Sequence, residues 1–179
     1  MINVEATNKM SKKVRLILGD QLNINHSWFQ TIDESITYVL MEIRSETDYA
    51  THHIQKIVGF FSAMRNFASE LQSKNHQVVY YKLNDENNLQ AFDKNIKQLI
   101  DKEDFTHFEY QIPDEYRLDE VLKNFCETLS ITSSVVDSEH FMSSRSELGD
   151  FFEGKKTFLM ESFYHMMRKK HHILMQGDK

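Results

Sequence analysis

The sequence predicts an α/β fold, and three observations support that prediction. Short apolar runs rich in Val, Ile and Tyr alternate with segments in which apolar residues recur every three or four positions. The apolar runs are nearly continuous, which is typical of strands buried on both faces of a parallel sheet. Glycine and proline are scarce, at 5 and 1 of 179 residues, so regular structure dominates. The predicted fold class is therefore α/β: a three-layer, mostly parallel five-stranded Rossmann-like sheet with a helical C-terminal tail.

The first half of the chain alternates strand, helix and strand. Val14–Leu18 and Ile36–Met41 are apolar runs that predict the first two strands. A helix is expected to begin near Tyr49 and to end at Asn75, which suits a left-handed cap, before a third strand at Val78–Tyr81. The apolar stripe of this helix should lie on the sheet and comprises Ile54, Ile57, Phe61, Met64, Ala68 and Leu71.

The second half continues the alternation and then changes character. Two further helix and strand pairs are predicted, in chain order, at Leu89–Asp101, Phe105–Tyr110, Asp114–Leu129 and Ser133–Val136. After these, Phe141–Gly154 predicts a loop with a short helix, and Phe158–Met175 predicts a longer helix. We therefore expect a disordered leader over residues 1–12, an α/β domain over 13–140 and a helical tail over 141–179.

Composition narrows the class of protein. The net charge of −6 is opposite in sign to the positive charge that nucleic-acid binding requires, so we do not expect this chain to bind DNA directly. The single cysteine, Cys126, excludes an intrachain disulfide and fits a reducing compartment. The longest mostly apolar run, Ile57–Met64, is far too short for a membrane span, and no signal peptide is evident. The expected location is cytoplasmic, with no membrane partner.

Common catalytic motifs are absent. The sequence contains no glycine-rich dinucleotide or phosphate-binding loop, and it lacks the zinc-protease, redox and hydrolase motifs. The pairs His52-His53 and His171-His172 do not converge on one ion, because adjacent helical residues point about 100° apart. We therefore predict no catalytic residue and no metal site in this chain.

Polar side chains gather where the first two predicted strands end. Asp20 and Gln21 follow the first strand, and Glu42 and Glu46 follow the second, while Phe60 should lie nearby. The carboxyl ends of parallel strands form the edge at which α/β sheets bind ligands. Amide and carboxylate groups beside an aromatic wall would suit a neutral, hydrogen-bonding heterocycle. The residues alone support a ligand pocket and ordinary loop caps equally.

The same residues resemble a known family. Motifs of this family run through nearly the whole chain in order, at 16–22 (LILGDQL), 42–46 (EIRSE), Tyr49, His52-His53, 61–65 (FSAMR), Pro113, Glu115, Arg117, Lys156, Met160-Glu161, Phe163-Tyr164, Met167-Arg168 and Leu174-Met175. In these residues the sequence is similar to the N-terminal domain of deoxyribodipyrimidine photolyase-related proteins, the iron-sulfur bacterial cryptochromes and prokaryotic (6-4) photolyases.

The resemblance implies a light-harvesting domain. In that family the N-terminal domain is an antenna that binds 6,7-dimethyl-8-ribityllumazine, while FAD and a 4Fe-4S cluster lie in a larger helical C-terminal part. By resemblance, Asp20, Gln21 and Glu46 are chromophore-binding residues, with Glu42 and Phe60 as further candidates. The chain lacks the C-terminal part and has one cysteine, so we expect a truncated protein that is inactive as a lyase on its own.

Three functions follow as hypotheses. The first is an antenna domain that works with a flavin-binding domain, in cis or in trans, and meets DNA only through that domain, in photoproduct repair or blue-light signalling. The second is a stand-alone protein that binds lumazine or another small molecule, and the third is an interaction module without photochemistry. The apolar residues of the tail, among them Phe158 and Leu174, predict self-association when no partner covers them.

Overall fold

The sheet is five-stranded and, in the part of the chain that the structure describes, every strand pair is parallel. In the computed structural model, residues 11–175 and 177 are described. The strands are β1 (Lys12–Leu16), β2 (Ile36–Met41), β3 (Gln77–Tyr81), β4 (Phe105–Gln111) and β5 (Thr132–Val136). Their order across the sheet is β3-β2-β1-β4-β5, which confirms the predicted Rossmann-like sheet.

Helices lie on both faces of this sheet. The described residues form α1 (Arg44–Thr47), α2 (Ile54–Ser73), α3 (Phe92–Lys102), α4 (Tyr116–Glu127), α5 (Glu147–Phe152) and α6 (Met160–His171), with a 3-10 turn at Ser27–Phe29. One buried core joins the sheet to α3 and α4 through Ile96 and Leu122. A second core on the other face joins it to α2 and the 3-10 turn through Leu71 and Phe29. The predicted three-layer architecture is confirmed.

The segment after β2 differs from the sequence prediction. The helix expected near Tyr49 is interrupted, so that α1 ends at Thr47 and α2 begins only at Ile54. The reason is a cap: the ring Nδ1 of His53 accepts a hydrogen bond from the backbone N–H of Gln55 at 3.2 Å. At the other end of α2, Asn75 has φ of 66°, which confirms the predicted left-handed residue.

The predicted apolar stripe of α2 lies on the sheet only along the downstream part of the helix. Met64, Ala68 and Leu71 are buried, whereas Ile54 is 65% exposed. The upstream turns of α2 extend past the carboxyl edge of the sheet, where Ile57 and Phe61 line a cavity. The stripe therefore serves the core at one end and a pocket at the other.

The chain divides into two compact units, the first ending at Ser138 and the second beginning at Glu139. The predicted leader overlaps β1, which begins at Lys12, and residues 1–10 lie outside the described part of the chain. In the second unit, the predicted helix over 158–175 is shorter, because α6 ends where His172 adopts φ of 53°. Among the described residues, no helix combines the length and the hydropathy needed to cross a membrane.

The strand order creates a natural position for a ligand. The chain winds from β1 to β2 and β3 in one direction, then returns to place β4 on the other side of β1. The order therefore reverses between β1 and β4, and in sheets of this kind the crevice beyond the strand ends at the reversal is where ligands bind.

Candidate functional site

A cavity of about 200 Å³ lies at the carboxyl edge of the sheet. It is formed by the segments that follow β1 and β2 and by the first turns of α2, α3 and α4. Its lining comprises Ile17, Leu18, Gly19, Asp20, Met41, Ile43, Glu46, Thr47, Tyr49, His52, Lys56, Ile57, Phe60, Phe61, Met64, Phe92, Glu115 and Leu118.

The lining separates into an apolar part and a polar part. Leu18, Ile43 and Met64 are buried and present only aliphatic or thioether surface. Of the polar lining residues, Asp20 and Lys56 are exposed and Glu46 and Glu115 are partly exposed, so the polar side of the cavity is the one that opens to solvent. An apolar cavity with a few polar groups at its opening is typical of a site for a small organic molecule.

Gly19 sets the distance between the β1 loop and α2. A methyl group built on Gly19 would lie 3.1 Å from the Sδ of Met64 and 3.1 Å from the Cδ1 of Phe60. A side chain at this position would therefore require Met64 or Phe60 to shift by a few tenths of an ångström. Phe60 is 43% exposed, so its ring forms a wall of the cavity rather than part of the core.

An arginine with two carboxylate partners lies beside the opening and contacts three of its lining residues. Arg117 donates from Nη2 to Glu46 at 2.9 Å and from Nε to Glu115 at 2.7 Å. Its guanidinium also lies 4.4 Å from the centre of the Tyr49 ring. The hydrogen bonds that Arg117 donates to Glu46, only partly offset by desolvation, raise the pKa of Arg117 and keep it charged. The cluster of Glu46, Tyr49, Glu115 and Arg117, here called the mouth cluster, thus joins α1 to the start of α4.

Glu42 has a different environment from Glu46. Its side chain is 0% exposed and is not part of the cavity lining. It accepts hydrogen bonds from Arg65 Nε at 2.6 Å, from the hydroxyl of Tyr80 at 2.7 Å and from the backbone N–H of Leu83 at 2.9 Å. Burial raises the pKa of Glu42, but these hydrogen bonds outweigh that effect and hold the pKa below its ordinary value. Glu42 therefore ties the end of β2 to α2 and β3.

Gln21 is also used within the protein. It is 1% exposed, and its Oε1 accepts from the backbone N–H of Leu18 at 3.1 Å. Its Nε2 donates to the backbone carbonyl of Gln111 at 3.1 Å, which links the end of β1 to the end of β4. Both halves of the amide are thus committed to backbone groups, and Gln21 is not part of the cavity lining.

The structure brings three of the five predicted site residues together. Asp20, Glu46 and Phe60 line the cavity, whereas Gln21 and Glu42 support its walls from behind. Sequence reasoning missed Lys56 and the contribution of Glu115 and Arg117 to the mouth cluster, together with Thr47, Ile57, Phe61, Phe92 and Leu118. The opposite charges of Glu46 and Arg117 were the available sign that these two residues pair. The sequence does not show that they are close, because Arg117 follows β4 and β4 lies beside β1 only through the strand order.

A cavity at the reversal of a parallel sheet, apolar within and polar at its opening, is the arrangement at which α/β domains commonly bind small molecules. A family model described as deoxyribodipyrimidine photo-lyase-related protein matches residues 15–179 of this chain. The chain belongs to this photolyase-related family.

A curated relative supports the same assignment. A (6-4) photolyase of Agrobacterium fabrum is 34% identical to this chain over 165 residues, which cover 92% of the chain. The matched region makes up 32% of that protein, so the chain spans about a third of the length of its relative.

Proposed function

We propose that this chain is the antenna domain of a photolyase-related protein and binds 6,7-dimethyl-8-ribityllumazine in the cavity. The observation that carries the proposal is the position of the cavity. It lies at the reversal point of the sheet, and Gly19, Asp20 and Glu46 from the family-like segments line it. The family membership and the (6-4) photolyase relative favour a light-driven function over a generic binding role.

The cavity chemistry suits a lumazine. The ring system would lie against the apolar lining with Phe60 as a wall, and Asp20 and Glu46 would accept hydrogen bonds from ring N–H or ribityl hydroxyl groups. Each oxygen of Glu46 has a free lone pair besides its bond to Arg117, so the ion pair and a ligand contact are compatible. The volume of about 200 Å³ is below the roughly 300 to 1,000 Å³ of sites that enclose a whole ligand. We therefore expect part of the chromophore to remain exposed.

When bound, such a chromophore would absorb near-ultraviolet to blue light and pass the excitation to a reduced flavin. The FAD and the 4Fe-4S cluster would belong to a flavin-binding domain, because a single cysteine in this chain cannot ligate the cluster. Contact with damaged DNA would also belong to that domain, in agreement with the acidic charge of this chain. A cytoplasmic location remains part of the proposal.

The second unit offers a surface for the flavin-binding domain. Large exposed apolar side chains occur here at the consecutive residues Phe158, Leu159 and Met160 and again at Leu174, and they are 58 to 77% exposed. We expect this chain alone to self-associate as its concentration rises, and the double substitution Phe158→Ser/Leu174→Ser to reduce that association. Light scattering after size-exclusion chromatography measures it. A wild-type monomer at every concentration would contradict this part of the proposal.

A fluorescence titration with 6,7-dimethyl-8-ribityllumazine tests the antenna proposal. The expected result is saturable binding by the wild type and at least tenfold weaker binding by Glu46→Ala, since loss of one charged hydrogen bond costs about this factor or more. Glu70→Ala is the matched control, because Glu70 is a half-exposed carboxylate paired with Lys74 at the far end of α2. Absence of binding to the wild type, or equal binding by wild type and Glu46→Ala, would overturn the assignment.

A further inference from the structure

We propose that the mouth cluster makes the cavity selective for ligands without a phosphate, so that a ribityl compound is bound and its phosphate ester is rejected. The inference deepens the proposed function, since it rests on the cavity as a site for a ribityl heterocycle. It concerns the chemical class of the ligand. The selectivity is assigned to Glu46 and Glu115, which occupy Arg117 and so keep it from binding a phosphate.

The position of a phosphate follows from the polarity of the lining. The buried part of the cavity offers aliphatic and aromatic surface such as Ile43, Met64 and Leu118, where an unpaired phosphate would be costly. A ring therefore enters the apolar part, and a polar chain with a terminal phosphate has to remain at the opening. The charges at the opening consequently decide whether the ester is accepted.

Those charges are predominantly negative. Three carboxylates, Asp20, Glu46 and Glu115, belong to the lining, against one cationic lining residue, Lys56. Arg117 stands beside them and brings the sum of formal charges to about one negative charge at neutral pH. A phosphate ester, with nearly two negative charges, would meet repulsion here rather than the cationic cluster that usually binds it.

Arg117 is the group at the opening best suited to bind a phosphate, and it is engaged. Its Nη1 donates to Glu46 at 3.3 Å and its Nη2 to both Glu46 and Glu115, at 2.9 and 3.2 Å, while its Nε donates to Glu115 at 2.7 Å. A phosphate would have to displace a carboxylate that already has the bidentate geometry of an arginine fork. The two glutamates thus compete with an anionic ligand for the same donors.

The helix ends that border the cavity do not supply an alternative. Phosphates are commonly held by the free backbone N–H groups of a helix N-terminus that follows a glycine-rich loop. At α2, the side chain of His53 already accepts from the backbone N–H of Gln55. At α3 and α4, the first turns carry Asp93 and Asp119, which oppose a bound anion. The starts of α2, α3 and α4 are therefore poor anion sites.

The test uses ligand pairs that differ by one phosphate. 6,7-Dimethyl-8-ribityllumazine is compared with its 5′-phosphate ester, and riboflavin with FMN, by fluorescence titration of the wild type, Glu46→Gln/Glu115→Gln and the control Glu70→Gln. We expect the wild type and Glu70→Gln to bind the phosphate esters at least about tenfold more weakly, as repulsion at a few ångströms predicts. The double variant should bring the ratio to about one by releasing Arg117.

Salt dependence separates repulsion from simple crowding. Repulsion is screened, so the wild-type ratio should shrink markedly between low salt and about 1 M NaCl, whereas a steric block would leave it unchanged. Equal binding of ester and parent by the wild type, or a ratio that neither the double variant nor salt alters, would overturn the inference.

The outcomes also distinguish this inference from the proposed function. If the wild type binds no unphosphorylated ligand, the antenna proposal fails. The present inference is then tested by measuring whether the double variant binds FMN. New FMN binding by Glu46→Gln/Glu115→Gln would support a masked Arg117, and continued absence of binding would overturn it.

Discussion

Two arginine-carboxylate pairs lie at the same edge of the sheet and have different roles. Glu42 with Arg65 forms one pair, and Glu46 with Arg117 forms the other, four residues along the chain. The side chain of Glu42 is 0% exposed and takes part in a network with β3, whereas that of Glu46 is 24% exposed and faces the cavity. The comparison shows that the surroundings of a carboxylate, rather than its place after a strand, separate a group buried in the fold from a group that lines the cavity.

The backbone explains the difference. The N–H of Glu42 still donates to the carbonyl of Tyr81, so Glu42 continues the ladder between β2 and β3 and keeps the alternation of the strand. Its side chain accordingly lies on the same face as Leu40, where it meets Arg65 of α2. Glu46 comes after the chain has left the sheet and entered α1, so the alternation of the strand no longer fixes its side chain. Its carboxylate lies at the opening of the cavity.

The largest expected effect is on stability at the buried pair. Glu42→Ala leaves Arg65, Tyr80 and the backbone N–H of Leu83 without their acceptor. Removing one member of a buried ion pair costs about 3 to 5 kcal/mol, and because Arg65 is half exposed we expect about 3 kcal/mol. Urea unfolding measures the change, with Glu70→Ala as the control that should lose at most about 0.5 kcal/mol. A loss below about 1 kcal/mol for Glu42→Ala would contradict the account, because the buried pair would then stabilise the fold no more than an exposed pair does.

The amide of Gln21 should have the next largest effect. Gln21→Ala would leave the buried backbone N–H of Leu18 and the carbonyl of Gln111 without their present side-chain partner. A buried polar group without a partner costs about 1 to 3 kcal/mol, so we expect a loss of about 2 kcal/mol in the free energy of unfolding. Thermal unfolding of Gln21→Ala, compared with the wild type, checks this value. A neutral substitution would instead favour a role for Gln21 outside the fold.

The pH dependence of stability sharpens the same comparison. The folded-state pKa of Glu42 lies below its ordinary value of 4.5, so its ion pair contributes fully above that value and is lost as the pH falls through the lower folded-state pKa. The free energy of unfolding should decline below about pH 4.5, and more gently for Glu42→Gln than for the wild type. Glu109, whose pKa is also lowered despite burial, accounts for part of the remaining decline. Parallel curves for the two proteins would contradict the role of Glu42.

The smallest effect on stability is expected at Gly19. In Gly19→Ala the new methyl group would press on the half-exposed ring of Phe60 and on the Sδ of Met64, and these two flexible side chains can shift at a cost of about 1 kcal/mol. The rotated ring would narrow the cavity, so lumazine binding should weaken more than stability does. Titration and unfolding of Gly19→Ala and Gly19→Ala/Phe60→Leu test this together. Recovery of lumazine binding in the double variant is expected. If binding does not recover, the rotated ring of Phe60 is not the cause of the weaker binding.

Much of the fold could be predicted from the chain alone because the information is local. The apolar run of β2 gave its bounds at Ile36 and Met41, and Asn75 indicated the end of α2. The start of α2 could not be placed, since the cap at His53 depends on a ring nitrogen that a pattern of apolar residues does not reveal. Local periodicity thus predicted the elements better than their first residues.

The cavity lies at the predicted strand ends, but only some of the predicted residues line it. Parallel strands end at one edge, which is why Asp20 and Glu46 could be expected together. The burial of Glu42 depends on partners 23 to 41 residues away, and sequence position gives no measure of it. The role of Arg117 depends on β4 lying beside β1, a consequence of strand order.

The most direct measurement compares Glu42→Ala and Glu46→Ala in both binding and stability. Lumazine affinity is measured by fluorescence titration at a temperature where both variants remain folded, and the free energy of unfolding by urea. We predict that Glu46→Ala loses at least about tenfold in affinity while its free energy of unfolding changes by about 1 kcal/mol or less. Glu42→Ala should show the larger loss in the free energy of unfolding. Unchanged lumazine binding by Glu46→Ala would contradict the assignment of the cavity as the chromophore site.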